Sequence, residues 1–348
     1  MRFPVARPGE PRIIPHFDRR WSVTLGAVPL NESSADQRSL ASALAPALRE
    51  ANGGRLSDLS WFRTDWQRGG AATGYALWRG DDGASHRAVV KLPVNRRELL
   101  WLQRLQDPGL HAPVPALYSA GDSIGGYDLA WVVMERLPAG PLGQHWHNDH
   151  VPRLVDALAH FHAACARWPV EGPVRREDWR EQVDDALETC RQNPVPEAKR
   201  WQAALRQVRD RLHELIEIWD ARPAREWLHG DAHFANALSR GSVDAGPVVL
   251  IDLAEVHVGH WVEDAIYVER QLWAKPELLA EHKPFKALAA ARRRLGLPVD
   301  EGDSRLALVR RVLLAATAPH YLRSEGHPRH LMACLEWVER GLKDLPGR

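Results

Sequence analysis

The sequence predicts an α+β protein of two lobes: a small N-terminal lobe around an antiparallel sheet, then a larger, mainly helical C-terminal lobe. Three observations predict it. Short β-prone runs separated by glycine turns fill Leu56 to Leu92. Beyond about residue 137 the apolar spacing turns helical almost throughout. One strand-and-loop segment, Trp227 to Asp252, interrupts those helices and concentrates His, Asp and Asn.

The elements follow in order. Residues 1–33, rich in Pro and Arg, read as an irregular extension. Ser34 is placed to cap a helix running to Arg49, with Leu40, Leu44 and Leu48 on one stripe and Asn52-Gly53-Gly54 ending it. Strands then alternate with turns at Arg68-Gly69-Gly70 and Gly80-Asp81-Asp82-Gly83. Helical spacing returns over Arg96 to Gln106, and Leu129 to Met134 reads as a strand entering the connector Glu135 to Gly140. Helices are expected at Asp149–Trp168, Glu177–Arg191, Glu197–Trp219, Val262–Trp273, Glu277–Arg294, Ser304–Ala316 and Arg329–Lys343. The domain division expected is 1–33, 34–136 and 137–348.

Bulk properties narrow the function classes. The chain has 348 residues, 45% hydrophobic and 26% charged, enough for more than one core. A formal net charge of +1 provides no global field for nucleic acid or an anionic membrane. Three widely spaced cysteines, Cys165, Cys190 and Cys334, form neither a disulfide framework nor a zinc pattern and fit a reducing compartment. No apolar run has the length of a membrane span or the placement of a signal peptide, so a cytoplasmic location is expected.

The chemistry is concentrated in Trp227-Leu228-His229-Gly230-Asp231-Ala232-His233-Phe234-Ala235-Asn236 and Val248-Val249-Leu250-Ile251-Asp252. Phosphoryl transfer needs a carboxylate to orient the attacking hydroxyl and oxygen ligands for the magnesium ions that neutralise the phosphates. An Asp with an Asn five residues on, and a second Asp ending an apolar strand, supply those groups.

This loop resembles that of the aminoglycoside phosphotransferase and choline kinase-like family: His-Gly-Asp, four variable residues, Asn, and an apolar strand ending Ile-Asp, here Ile251-Asp252. A chance match to the four fixed positions has a probability on the order of one in a thousand for a chain of this length. The resemblance implies a protein-kinase-like fold and an ATP- and Mg2+-dependent kinase acting on a hydroxyl of a small molecule. It implies Asp231 as catalytic base, His229 as its buttress, Asn236 and Asp252 as magnesium ligands and Asp264 as a structural residue. Upstream, Lys91 ends a strand where a phosphate-binding lysine belongs, and Glu98 is its partner on the next helix. Gln67 to Thr73, with Gly69, Gly70 and Thr73, resembles the family's phosphate-covering turn. Met134 to Leu137, including Glu135 and Leu137, is the connector whose backbone would meet adenine.

Other readings of the same residues stand beside these. His229, Asp231 and His233 alternate as in metal-dependent hydrolases, and a kinase-like fold can bind nucleotide without turning it over. Lys91 reads also as a surface lysine and Glu98 as a helix-dipole acid. His145, His147 and His150 read either as ligands at a cleft mouth or as a solvated lead-in capped by Asn148 or Asp149. Glu255 lies three residues past Asp252 and is a candidate for the metal or the substrate. The tryptophans read mostly as core. The arginine runs Arg292-Arg293-Arg294 and Arg310-Arg311 lean towards a neutral or anionic acceptor over a polycation.

Overall fold

The computed structural model describes residues 40–63, 71–144, 146–242 and 245–345. The extension 1–33, the Ser34 cap, Gly69 and Gly70 of the phosphate-covering turn, and His145 lie outside the described residues.

A first helix, α1 (Leu40–Ala51), precedes β1 (Leu56–Arg63), β2 (Ala72–Arg79) and β3 (Ser85–Leu92); α2 (Arg96–Arg104) follows, then β4 (Leu117–Gly121) and β5 (Trp131–Glu135). The strands form a five-stranded sheet in the order β1-β2-β3-β5-β4, with every neighbouring pair antiparallel. The expected turns act where the sequence put them. Gly53 and Gly54 take positive φ after α1, and Gly83 does so between β2 and β3.

Strand alternation decides where Lys91 points. On β3, Ala88, Val90 and Leu92 are buried in a cluster with Leu44 and Leu48 of α1. Val89 packs instead on the second, larger cluster, so Lys91, two residues on, shares its face. β5 divides in the same way. Trp131 and Val133 join the α1 cluster, while Val132 and Met134 join the larger one. Each such aliphatic group contributes roughly 1.5–3 kcal/mol by leaving water. A one-residue slip of register would turn Lys91 under α1.

The remainder is mainly helical: α3 (His150–Cys165), α4 (Trp179–Gln192), α5 (Ala198–Asp220), then β6 (Glu226–Leu228), β7 (Ala237–Ser239), β8 (Val248–Leu250) and β9 (His257–Gly259). Pairs β6-β9 and β7-β8 make two small antiparallel sheets. The chain closes with α6 (Val262–Arg270), α7 (Pro276–Glu281), α8 (Pro284–Arg294), α9 (Asp303–Ala316), α10 (Leu322–Glu325) and α11 (Pro328–Asp344). Trp101, Trp201, Trp219, Trp261 and Trp273 are fully buried, as the core reading expected. No described helix is long and apolar enough to cross a membrane.

Some expectations need correction. The helix expected over Glu277–Arg294 is two helices, because Pro284 has no N–H and its ring blocks a continuous turn. β4 and α10 were not anticipated. β4 carries no fully buried side chain, so it has no alternating apolar signal. Asp149 precedes α3 without a side-chain capping bond. His150 is fully buried, against the solvated lead-in reading, and its Nδ1 accepts from the His147 N–H at 3.3 Å.

A buried ionic layer surrounds the start of α6. Glu263 Oε1 accepts from Arg222 Nε at 3.0 Å and from the His260 N–H at 2.9 Å. Burial pushes this carboxyl up, but the His257 ring and the Arg310 and Arg222 charges outweigh burial and hold it at about 2, below its ordinary 4.5. The stabilisation is therefore complete above about pH 4.5 and is lost as pH falls towards 2. Between pH 7 and pH 3, urea titration is expected to show the wild type losing roughly 2 kcal/mol more than Glu263→Gln. Equal losses would contradict the assignment.

Candidate active site

The segment His229–Asn236 leaves β6 at Leu228 and turns sharply at Gly230, whose φ is +77°. A Cβ there would lie 2.3 Å from the Glu255 carbonyl oxygen and 2.7 Å from His257 Nδ1, so only glycine fits. One face of α6 holds this turn. Asp264 Oδ2 accepts from the His229 N–H and Oδ1 from the Gly230 N–H, each at 2.9 Å. One helical turn on, the Tyr267 hydroxyl donates to Asp231 Oδ1 at 2.6 Å. A further turn on, Gln271 accepts from the Phe234 N–H and donates to the Ala232 carbonyl, both at 3.1 Å. The spacing 264, 267, 271 puts the three on one helix stripe.

Asp264 is fully buried, and its structural reading fits this geometry. Burial would raise it, but the His162 hydrogen bond and the His162 and His229 rings leave it below its ordinary value. His162 Nε2 meets Asp264 Oδ2 at 3.0 Å while Arg292 Nη1 meets His162 Nδ1 at 3.0 Å. A guanidinium only donates, so Nδ1 is the acceptor and Nε2 carries the proton towards Asp264.

Asp231 has a donor on each carboxylate oxygen: Tyr267 on Oδ1 and Asn236 Nδ2 on Oδ2 at 3.0 Å. Burial pushes its carboxyl up to about 7; the Tyr267 and Asn236 hydrogen bonds oppose this, and the Asp252 and Glu255 charges add to it. Burial and then Asp231 itself raise the Tyr267 phenol well above its ordinary value, so it stays a donor. His229 is fully buried, with Nδ1 accepting from the Asp231 N–H at 3.3 Å. His233 Nδ1 accepts from the Ala235 and Asn236 N–H groups, both at 3.1 Å, and so caps the short turn Phe234–Asn236.

The second carboxylate arrives through β8. The Ile251 N–H donates to the Asn236 carbonyl at 2.9 Å, which sets Asp252 beside the loop. Asp252 adopts φ +65°, a left-handed conformation that side chains seldom take and that functional positions retain. Its Oδ1 lies 3.1 Å from Lys91 Nζ, and its side chain is 42% exposed. Lys91 also meets both oxygens of buried Glu98, at 2.7 and 2.8 Å. Burial pulls the Lys91 ammonium down, but Glu98 and Asp252 hold it above its ordinary value. Asn95 caps α2 by accepting from the Glu98 N–H at 2.6 Å. It also reaches the Ala254 carbonyl at 3.4 Å, tying the α2 start to the Asp252 turn.

The structure thus brings Lys91, Glu98 and Asp252 into one hydrogen-bonded group and Asp231 and Asn236 into another, the two joined by the Ile251–Asn236 backbone bond. Thr73 lies opposite Lys91 in the β2-β3 register, its hydroxyl donating to the Ala71 carbonyl at 3.3 Å. Glu135 is engaged locally: its N–H donates to Ala116, and Arg240 grips its carboxylate at 2.6 and 2.9 Å. Leu137 follows in the connector. Glu255 pairs with Arg175 at 3.2 Å. Tyr267, Gln271, Arg175 and Arg222 were missed from the sequence. The i, i+3 spacing of Asp264 and Tyr267 was the one signal available for the tyrosine.

The donor set suits a hard cation. Asn236 spends its N–H on Asp231, leaving its amide oxygen, and Asp252 has a carboxylate oxygen beyond the one on Lys91; both suit magnesium. The hydrolase reading is not supported. Nδ1 of His229 and of His233 each accept backbone N–H groups. Among the described residues, no group of three or more His, Cys, Asp or Glu is arranged to hold a metal.

The arginine runs are solvated only in part. Arg292 pairs with Glu226 at 2.8 Å, Arg310 with Glu177 at 2.7 Å and Arg311 with Glu269 at 2.6 Å, so these charges are spent inside the fold. Arg293 and Arg294 of the first run stay exposed, Arg294 pairing with Asp156 at 2.9 Å on the surface.

Sheet, connector and paired acidic loop define a phosphotransferase with a protein-kinase-like fold. The model of the phosphotransferase enzyme family matches residues 48–297, and the chain belongs to that family. Among solved structures, a microcompartment-associated aminopropanol kinase is 18% identical with a TM-score of 0.54, covering 82% of this chain and 90% of that one. An amicoumacin kinase in complex with AMP-PNP, Ca2+ and Ami is 13% identical with a TM-score of 0.50, covering 86% of this chain and 93% of that one. At these identities the likeness is one of fold. No curated protein matches the chain.

Proposed function

We propose that this phosphotransferase transfers the γ-phosphoryl group of ATP to a hydroxyl of a small molecule. The observation that carries the reading is the chain of contacts Glu98–Lys91–Asp252 on one side and Tyr267–Asp231–Asn236 on the other, joined by the Ile251–Asn236 backbone bond.

Lys91, held extended by Glu98, meets the nucleotide phosphates as a fixed positive charge. Thr73 stands beside Lys91 at the edge of the phosphate site, and the connector through Glu135 and Leu137 would line the adenine site. Asn236 and Asp252 would hold magnesium, which would neutralise charge on the phosphates. Asp231 accepts a hydrogen bond from the acceptor hydroxyl, orients it for in-line attack and takes its proton as the oxygen–phosphorus bond forms. His229 supports Asp231 through the backbone N–H of that residue. Burial raises the Asp231 carboxyl above the ordinary carboxylate range, the direction that strengthens it as a base.

Purified protein with Mg-ATP is to be screened against sugars, amino alcohols and aminoglycosides. Acceptor-dependent ADP formation is expected with at least one class. Nucleotide binding without any turnover would instead favour a non-catalytic kinase-like protein. Asp252→Ala is expected to weaken nucleotide binding at least tenfold in magnesium and to remove its magnesium dependence, read by titration calorimetry. Unchanged magnesium-dependent affinity would remove Asp252 from the metal site.

A further inference from the structure

The Tyr267 hydroxyl meets the carboxylate that the proposed transfer assigns to the acceptor hydroxyl. It is an O–H donor on Oδ1 of Asp231 at 2.6 Å, the length of a strong hydrogen bond between a hydroxyl and a carboxyl group. The other oxygen, Oδ2, is taken by Asn236 Nδ2 at 3.0 Å, with His233 Nε2 3.6 Å away. The Asp231 side chain is 14% exposed, so little of it remains for solvent. Tyr267 is fixed by the same helix face that holds the loop, between Asp264 one turn before and Gln271 one turn after.

We propose that Tyr267 is a built-in stand-in for the acceptor: while no acceptor is bound, its hydroxyl occupies Oδ1 of Asp231 and keeps water from that oxygen, suppressing wasteful hydrolysis of ATP. This rests on Asp231 being the base of the proposed transfer. In the reaction so suppressed, a water oxygen forms a bond to the γ-phosphorus and the bond from that phosphorus to the β,γ-bridging oxygen breaks. The water proton passes to Asp231 and then to solvent, leaving ADP and inorganic phosphate. An acceptor hydroxyl reaching Asp231 takes the place of the phenol on Oδ1. Tyr267 is therefore a positioning residue that sets which hydroxyl meets the base.

The test needs no acceptor. ADP formation from Mg-ATP in water is compared for wild type, Tyr267→Phe, Asp231→Asn and the double variant Tyr267→Phe/Asp231→Asn. Tyr267→Phe is expected to raise the acceptor-independent rate roughly tenfold, the effect of removing one competing hydrogen bond to a charged group, with the KM for ATP unchanged. A purely structural role would lower the rate or leave it alone, and either result overturns the proposal. If Tyr267→Phe raises the rate and the double variant Tyr267→Phe/Asp231→Asn keeps that rise, the reading of Asp231 as base fails first. If Asp231 matters and Tyr267→Phe has no effect, only the role of Tyr267 fails.

A readout that does not depend on turnover uses the wild-type tyrosine. The chain has five tyrosines, so 13Cζ-labelled tyrosine NMR resolves them once each is assigned by substitution of the others. Asp231→Ala is expected to move the Tyr267 resonance and leave the remaining ones in place. A Tyr267 resonance that does not move overturns the contact, even if Tyr267→Phe proves unstable.

Discussion

Asp231→Asn is expected to lower turnover at least a thousandfold while ATP affinity stays within about threefold of wild type. General-base assistance alone is worth about 10²–10⁴ in rate, and loss of an oriented acceptor hydroxyl adds to that. The substitution is close to neutral for the fold. An amide at 231 can turn its oxygen to Asn236 Nδ2 and its N–H to the Tyr267 oxygen, so both present neighbours keep a partner. Binding read by calorimetry, and turnover with the acceptor returned by screening, separate the two effects. Turnover within tenfold of wild type would remove Asp231 as the base.

Asp264→Ala is expected to give the largest loss of stability, about 3–5 kcal/mol by urea unfolding. Three donors point at that carboxylate: the His229 and Gly230 N–H groups and His162 Nε2. Alanine leaves all three without their present partner in a fully buried site, and each orphaned donor costs about 1–3 kcal/mol before relaxation. It also frees the turn that aims Asp231, so turnover falls alongside stability. Asp264→Asn keeps one acceptor oxygen and is expected to cost roughly half as much. A loss below about 1 kcal/mol for Asp264→Ala would show that the clamp is dispensable.

Much of this site is legible in the sequence because its chemistry is local. Asp231 and Asn236 sit on one loop, and Asp252 ends the next apolar run, so a fixed spacing reports their convergence. Lys91 is legible for a different reason: alternation along Ala88–Leu92 sends it to the face opposite α1. Glu98, seven residues on, had a competing reading as a first-turn acid, and only the 2.7 Å contact to Lys91 decides it. Tyr267 was hidden because its meaning is tertiary. Nothing in Ala265-Ile266-Tyr267 distinguishes a core aromatic from one whose hydroxyl meets a carboxylate 36 residues earlier.

Three of the five arginines in the two runs misled for a similar reason. Adjacent arginines on a helix read as a solvated basic face, but Arg292, Arg310 and Arg311 each find a carboxylate distant in sequence. Charge counted along a chain does not predict field at a site once the fold pairs the charges. β4 was invisible because its side chains are all half-buried, and the break at Pro284 was missed by following apolar spacing through a residue that cannot continue a helix.

The central claim is that one nucleotide-bound cation and one reacting phosphoryl group sit among Lys91, Asn236, Asp252 and Asp231. A crystal structure of the wild-type protein with AMP-PNP and magnesium measures it directly. The expected result is a metal bonded at about 2.1 Å to Asn236 Oδ1 and an Asp252 oxygen, with Lys91 on the phosphates and the γ-phosphorus facing Asp231. A nucleotide bound elsewhere, or a metal that ignores both ligands while Asp231 faces away from the phosphates, would contradict the account.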